Sequence, residues 1–272
     1  MYTTSDSIVQ GRDGGIPIRD YLPADRRFAT PLLWVHGGGF VLGGLDMKES
    51  DAPARHLAAA GRWVRTVDYR LAPNIGLFGK PTLGAAPGRF PEAHHDVLDV
   101  AESLRLAAGS IHIGGASAGA NLVAGAVLAM RDRGAPLPRS VSLAYGALHS
   151  VLPLNDAVES ALRGWQPRWF FNPPMMRRIT LNYVGDEGAL ADPYAFPGGA
   201  DLAGYPPTLS LDASNDRLRI SGHAFNVELA AAGVDTEEIV LDGVHGFLGT
   251  PRKLVFAEGM SLLALWMARH DG

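Results

Sequence analysis

SIHIGGASAGANLVAGAVLAMRDR occupies residues 110–133. A β-branched run around Ile111 and Ile113 meets Gly115-Ala116-Ser117-Ala118-Gly119, and a long Ala/Leu/Val/Met segment follows. That succession reads as a strand, a tight turn and a buried helix. A Gly-x-Ser-x-Gly at such a junction is the nucleophile-elbow pattern, in which a strained turn lifts the serine hydroxyl above the sheet edge. The neighbours of such a serine must be small, and Gly115, Ala116, Ala118 and Gly119 all are. The helix after the turn points its N-terminus at Ser117, which favours developing negative charge there. Alone the pattern is weak, because 33 of the 272 residues are glycine and small residues meet by chance.

Around that stretch, strand and helix patterns alternate. Residues 7–23 read as a hairpin turning at Asp13-Gly14-Gly15. PLLWV at 31–35 is a continuous apolar run, as expected of a strand buried on both faces. A helix over 46–60, a strand over 63–69, and a helix from Pro91 to about Ala108 follow, the last with Pro at its first turn and Gly109 past its end. Residues 70–90 are rich in Gly and Pro and read as a loop. Further strands are expected at 140–146, 208–211 and 237–241, and helices at 218–232 and 252–269. The alternation predicts an α/β fold, a mostly parallel central sheet with helices on both faces. Residues 148–206 break the rhythm with Trp/Phe clusters and many prolines, and read as a small inserted cap above the sheet. The core is then 1–147 together with 207–272.

Composition narrows the function. Hydrophobic content of 47% and charged content of 19% suit a soluble globular chain. A net charge of −4 with mixed signs supplies no basic patch for nucleic acid or an anionic membrane. No apolar run approaches a membrane span, and MYTTSDSIVQGRDGG has no signal-peptide core, so a cytoplasmic location is expected. The absence of cysteine removes disulfides, thiol catalysis and cysteine-bound metals.

In such sheets, sites form at the carboxyl ends of the strands. Ser117, Asp216 and His245 fall at such junctions, in the chain order Ser, Asp, His of an α/β-hydrolase triad. The chemistry requires these types: an imidazole takes the proton of a serine hydroxyl, and a buried carboxylate fixes its tautomer and stabilises the imidazolium. Asp212 and Asp242 compete for the acid's place, but Asp212 lies at the tip of its own strand and Asp242 is too near His245 in sequence for an easy approach. His94-His95-Asp96 sits in the opening turns of a helix and reads as structural rather than as a metal site. His112, in the elbow strand, reads as a packed core histidine.

HGGGF at 36–40, DYRLAP at 68–73, FPEA at 90–93, GASAG at 115–119, DRLR at 216–219 and HGF at 245–247 together resemble the hormone-sensitive-lipase-like esterases, a branch of the α/β-hydrolase fold. The likeness keeps order and spacing along nearly the whole chain. It implies Ser117, Asp216 and His245 as the triad, and an oxyanion hole from the backbone N–H groups of Gly38, Gly39 and Ala118. Only glycine lets a backbone approach a tetrahedral oxygen that closely. The resemblance also implies that His36 is structural, that no cofactor is needed, that the partner is a small-molecule ester, and that a homodimer is reasonable.

Departures from the family pattern are equally visible. Asn74 stands where the family commonly has Glu, the loop to Phe90 is longer than usual, and Ile220 replaces a common second Asp. Only 35 residues precede His36, and the hairpin nearly uses them up, so the family's N-terminal cap helices are expected to be absent. The cap would then consist of 148–206, aided by the 74–90 loop. Phe40, Leu45, Trp165, Trp169 and Phe170 are candidate substrate-pocket walls, with Phe171, Met175 and Met176 beside them, although aromatic and Met-rich stretches are as a rule core. As a set they favour an apolar acyl or aromatic group. The expected activity is serine carboxylesterase, on short- to medium-chain acyl esters through an acyl-enzyme. The same residues also serve amide, carbamate or formamide hydrolysis and acyl transfer. A non-catalytic ligand-binding protein on this scaffold would be expected to have lost Ser or His.

Overall fold

β3 (Leu32–Val35) shows how the core is divided: Leu32 and Trp34 point to one face of the sheet, Leu33 and Val35 to the other, and all four are buried. A strand's side chains alternate with period two, so a strand apolar at every position must be covered on both faces. In the computed structural model, which describes residues 1–76 and 79–271, helices supply that cover. α2 (Glu92–Ala108), α3 (Ala118–Asp132) and α7 (Arg219–Ala231) pack on the face of Leu33 and Val35. α1 (Lys48–Ala59) and α8 (Leu254–Arg269) pack on the face of Trp34.

Among the described residues eight strands form one sheet in the order β1-β2-β4-β3-β5-β6-β7-β8. β1 (Tyr2–Gly11) and β2 (Gly14–Pro23) are the expected hairpin, and β2 pairs antiparallel with β4 (Val64–Val67). β3, β4, β5 (His112–Ala116), β6 (Val141–Ala144), β7 (Thr208–Asn215) and β8 (Thr236–Val244) are all parallel. Their carboxyl ends share one edge of the sheet, where Ser117, Asp216 and His245 follow β5, β7 and β8. β7 and β8 run four and three residues beyond the expected Leu211 and Leu241. Their apolar pattern stops early because Asp212 and Asp242 continue the strands as polar residues.

Residues 148–206 carry α4 (Asp156–Ala161), α5 (Trp165–Trp169) and α6 (Pro173–Val184), then a 3₁₀ turn at Gly188–Ala191. Asn155 and Asn172 cap α4 and α6, each accepting a backbone N–H three residues on. The end of the segment rejoins the main core: Phe196, Leu202 and Tyr205 are buried with α3, and Tyr205 donates to the Ala124 carbonyl at 3.1 Å. The 70–90 loop is tied to α6. Asn182 Nδ2 donates to Pro73 O at 2.9 Å, and Arg178 donates to Gly76 O and Gly79 O. Leu77 and Phe78 of that loop lie outside the described residues. No described helix is long and apolar enough to cross a membrane.

Candidate active site

At the turn between β5 and α3, Ser117 has φ 54° and ψ −118°, a strained conformation held by its surroundings. The Ser117 N–H donates to Ala144 O at 2.8 Å, which pins the turn to β6. The two glycines are there for space. A methyl carbon on Gly119 would lie 2.2 Å from Val35 O, and one on Gly115 would lie 2.6 Å from the Gly119 carbonyl carbon.

Ser117 Oγ lies 3.0 Å from His245 Nε2, and His245 Nδ1 lies 2.7 Å from Asp216 Oδ2. The other oxygen, Asp216 Oδ1, accepts the Leu218 N–H at 3.0 Å. Asp216 is fully buried, while 26% of the His245 side chain stays open to the cavity. His245 follows β8, and Gly246 (φ 78°) turns the chain into a 3₁₀ turn whose Phe247 and Leu248 are buried anchors. Tyr145 and Phe171 pack their rings against the imidazole, with centroids 4.9 and 4.7 Å away. Burial works to lower the pKa of His245, but the charges of Asp216 and Glu49 outweigh it and hold the ring above its ordinary value. The other two acids are placed elsewhere. Asp212 is buried against Gly222 of α7, with burial pushing its carboxyl well up, and Asp242 is exposed and bonds Arg163 and Ser214.

Gly38 (φ 109°) and Gly39 (φ 61°) take conformations that favour glycine, and a methyl carbon on Gly38 would lie 1.9 Å from Leu42 O. With Ala118 they line the same cavity as Ser117 and His245. Among the described residues, the N–H groups of Gly38, Gly39 and Ala118 donate to no protein acceptor. His36 lies beneath this loop, fully buried and stacked on Tyr69 at 4.4 Å, with Nδ1 2.7 Å from Gly37 O. Burial lowers its pKa to about 4, so the ring is neutral scaffolding. Tyr69, of the DYRLAP stretch, donates to the His36 and Gly37 carbonyls, both at 3.1 Å. Arg70 anchors that stretch to Asp96 on α2 at 2.6 Å. The remaining histidines singled out in the sequence are engaged structurally: His94 packs between Phe90 and Tyr194, His95 bonds Asp13, and His112 bonds Ser140 and Asp271.

The cavity holds about 580 Å³ and is walled mostly by apolar groups, among them Phe40, Ala147, Phe171, Met176, Ile179 and Leu218. A second cavity of about 360 Å³ shares Gly39 and Ile179 with it and is bounded by Asn74, Ile75, Met175 and Asn182. Of the expected walls, Phe40 is in place, stacked on Tyr183 at 3.9 Å. Leu45, Trp165, Trp169 and Phe170 are not. Leu45 is half-buried outside the cavity, Trp165 is 70% exposed, and Trp169 and Phe170 pack on each other at the surface. The tight turn at Phe171 (φ 58°) sends that ring inward and leaves its predecessors outside. Ile220, at the place of the family's second Asp, is a core residue.

Sequence reasoning missed Glu49 and Tyr145. Glu49 lines the cavity at 5% exposure, its Oε2 accepting the Gly37 N–H at 3.0 Å and its Oε1 the Tyr145 hydroxyl at 2.7 Å. Tyr145 directly follows β6, and its place at a strand's carboxyl end was the available signal. Nothing distinguishes Glu49 from the neighbouring Asp46 and Asp51 in sequence.

A family model for the α/β hydrolase fold matches residues 32–249. The chain is 31% identical over 263 residues to an arylesterase of Saccharolobus solfataricus, covering 92% of this chain and 78% of that one. It is also 31% identical over 270 residues to the carboxylesterase NlhH of Mycobacterium tuberculosis, covering 96% and 81%. A solved esterase of the bacterial hormone-sensitive lipase family superposes with a TM-score of 0.81 at 26% identity, over 100% of this chain and 85% of that one. With this fold, this strand order and these matches, the chain belongs to the α/β-hydrolase-fold family, in its hormone-sensitive-lipase-like esterase branch.

Proposed function

We propose that the protein hydrolyses short- to medium-chain carboxylic esters through an acyl-enzyme on Ser117. The single observation that carries this reading is the Asp216–His245–Ser117 relay at 2.7 and 3.0 Å, opening into an apolar cavity whose glycine loop has free N–H groups. Ser117 Oγ attacks the ester carbonyl carbon as its proton passes to His245 Nε2. The carbonyl oxygen becomes an oxyanion facing the N–H groups of Gly38, Gly39 and Ala118. Collapse breaks the bond to the alkoxy oxygen, which leaves with the proton from His245. Water then attacks the acyl-enzyme with His245 again as base, releasing the acid and restoring Ser117. Asp216 holds the imidazole in the tautomer with Nδ1–H and stabilises the imidazolium.

A cavity of about 580 Å³ with apolar walls suits a small ester better than a long-chain glyceride. The test is wild type beside Ser117→Ala on p-nitrophenyl esters from acetate to laurate. Turnover peaking at short to medium chains and abolished in the variant is expected. Activity retained in Ser117→Ala overturns the mechanism, and a peak at laurate overturns the chain-length assignment.

A further inference from the structure

Glu49 is a buried carboxylate one glycine away from the nucleophile. A methyl carbon built on Gly37 would lie 2.2 Å from Glu49 Oε2 and 3.0 Å from Ser117 Cβ, so carboxylate, glycine and serine are stacked in contact. Through Oε2, Glu49 holds the Gly37 N–H at the root of the glycine loop. Through Oε1, it holds the hydroxyl of Tyr145, whose ring packs edge-on against His245 and whose oxygen accepts the Leu248 N–H at 3.3 Å. One side chain therefore braces the loop before Gly38 and Gly39 and the loop carrying His245. Its own backbone is fixed too, because Trp34 Nε1 donates to the Glu49 carbonyl at 2.8 Å. Its negative charge is met by two donors and by the N-terminal turn of α1.

Resting on the esterase reading above, we infer that Glu49 is a second positioning carboxylate of this site, which locks the oxyanion loop to the histidine loop and stabilises the imidazolium from outside the Asp216–His245 pair. Asp216 reaches Nδ1 directly, whereas Glu49 acts through Gly37, Tyr145 and its field. The charge of Glu49 is among the causes that raise the pKa of His245. The titratable groups facing this arrangement are Lys48 beside Glu49 on α1, Tyr145 after β6, Tyr69 after β4, His36 after β3, and the His245–Asp216 pair. Both tyrosines have pKa values pushed well above the ordinary value, by burial first and then by the carboxylate, and burial holds His36 at about 4. Neither tyrosine nor His36 titrates where the imidazole of a serine hydrolase does, and an ammonium such as that of Lys48 gives up its proton on the alkaline side, so the acidic limb of the rate profile is assigned to His245.

The experiment compares wild type, Glu49→Gln and Glu49→Asp on p-nitrophenyl butyrate across pH, with a thermal melt of each. Glu49→Gln keeps the shape and removes the charge. Its kcat is expected to fall at least about tenfold with KM little changed. Its acidic limb in kcat/KM is expected to move toward lower pH by roughly half a unit to one unit. Glu49→Asp keeps the charge on a shorter arm, so the limb is expected to stay while kcat falls. An unchanged kcat in either variant, or a reduced kcat in Glu49→Gln with an unmoved limb, overturns the inference. If Glu49→Gln does not fold, Glu49→Asp alone decides: a moved limb or an unchanged kcat overturns it. Wild type lacking Ser117-dependent turnover would instead be a failure of the esterase reading, and the Ser117→Ala control identifies that case.

Discussion

Trp34 Nε1 donates to the carbonyl of Glu49 at 2.8 Å, taking the acceptor that Pro53, four residues further along α1, leaves without its helical N–H. A proline inside a helix frees the carbonyl one turn back. Here the indole of β3 fills that place from the sheet beneath, and it fixes the height of Glu49 over the site. Trp34→Phe leaves a buried carbonyl unpaired and is expected to cost about 2–4 kcal/mol, from the lost bond and the smaller ring. Pro53→Ala supplies a backbone N–H to the same carbonyl, so the double variant is expected to be about 1 kcal/mol more stable than the sum of the singles. Denaturant unfolding of the four proteins measures this coupling, and strict additivity contradicts it.

Three imidazoles, His36, His94 and His112, are buried and each has its pKa lowered to about 4, burial being the largest cause. A folded-state value below the free 6.5 means that the neutral ring's stability is fully present above pH 6.5 and is lost as pH falls toward 4. Each ring then contributes a slope of roughly 1.4 kcal/mol per pH unit within that window. Unfolding free energy measured between pH 7 and 4 is expected to fall steeply, and His94→Phe, which removes one of the three, is expected to flatten the slope. An equal slope in the variant contradicts this account.

Phe171 touches His245 and lines the cavity, whereas Trp165, six residues earlier, projects into solvent. Phe171→Ala is expected to raise KM for butyrate and longer esters severalfold and to lower kcat/KM by about tenfold, since an apolar wall of that size contributes on the order of 1–3 kcal/mol. Trp165→Ala is expected to leave both constants within about twofold of wild type, as surface changes do. Steady-state kinetics on both variants makes the comparison. A larger effect at Trp165 would place the substrate outside the cavity described.

The contrast between those two residues also marks where the sequence was informative. The sheet, its helical layers and the meeting of Ser117, Asp216 and His245 could be read from local patterns, because each rests on a turn or strand end that only certain residue types permit. Asp216 could be preferred over Asp212 for a local reason too: Asp212 stands at the tip of the apolar run 208–211, and in the structure it continues β7 and faces α7. The pocket walls could not be read in this way. Whether Phe170 or Phe171 turns inward depends on a positive φ at one non-glycine position, which tertiary packing sets. Glu49 was invisible for the same reason: its partners Gly37, Tyr145 and Trp34 come from three other places in the chain.

The central claim is that Ser117 is the nucleophile, activated by His245. The most direct measurement is reaction with diethyl p-nitrophenyl phosphate, whose phosphorus accepts an activated serine oxygen and expels p-nitrophenolate. Intact mass and peptide mapping then locate the adduct. The account predicts one diethylphosphoryl group per chain, on the peptide containing Ser117, with ester turnover lost in parallel and no adduct in Ser117→Ala or His245→Ala. An ester-hydrolysing wild type that stays unlabelled, or that carries the group on another residue, would contradict it.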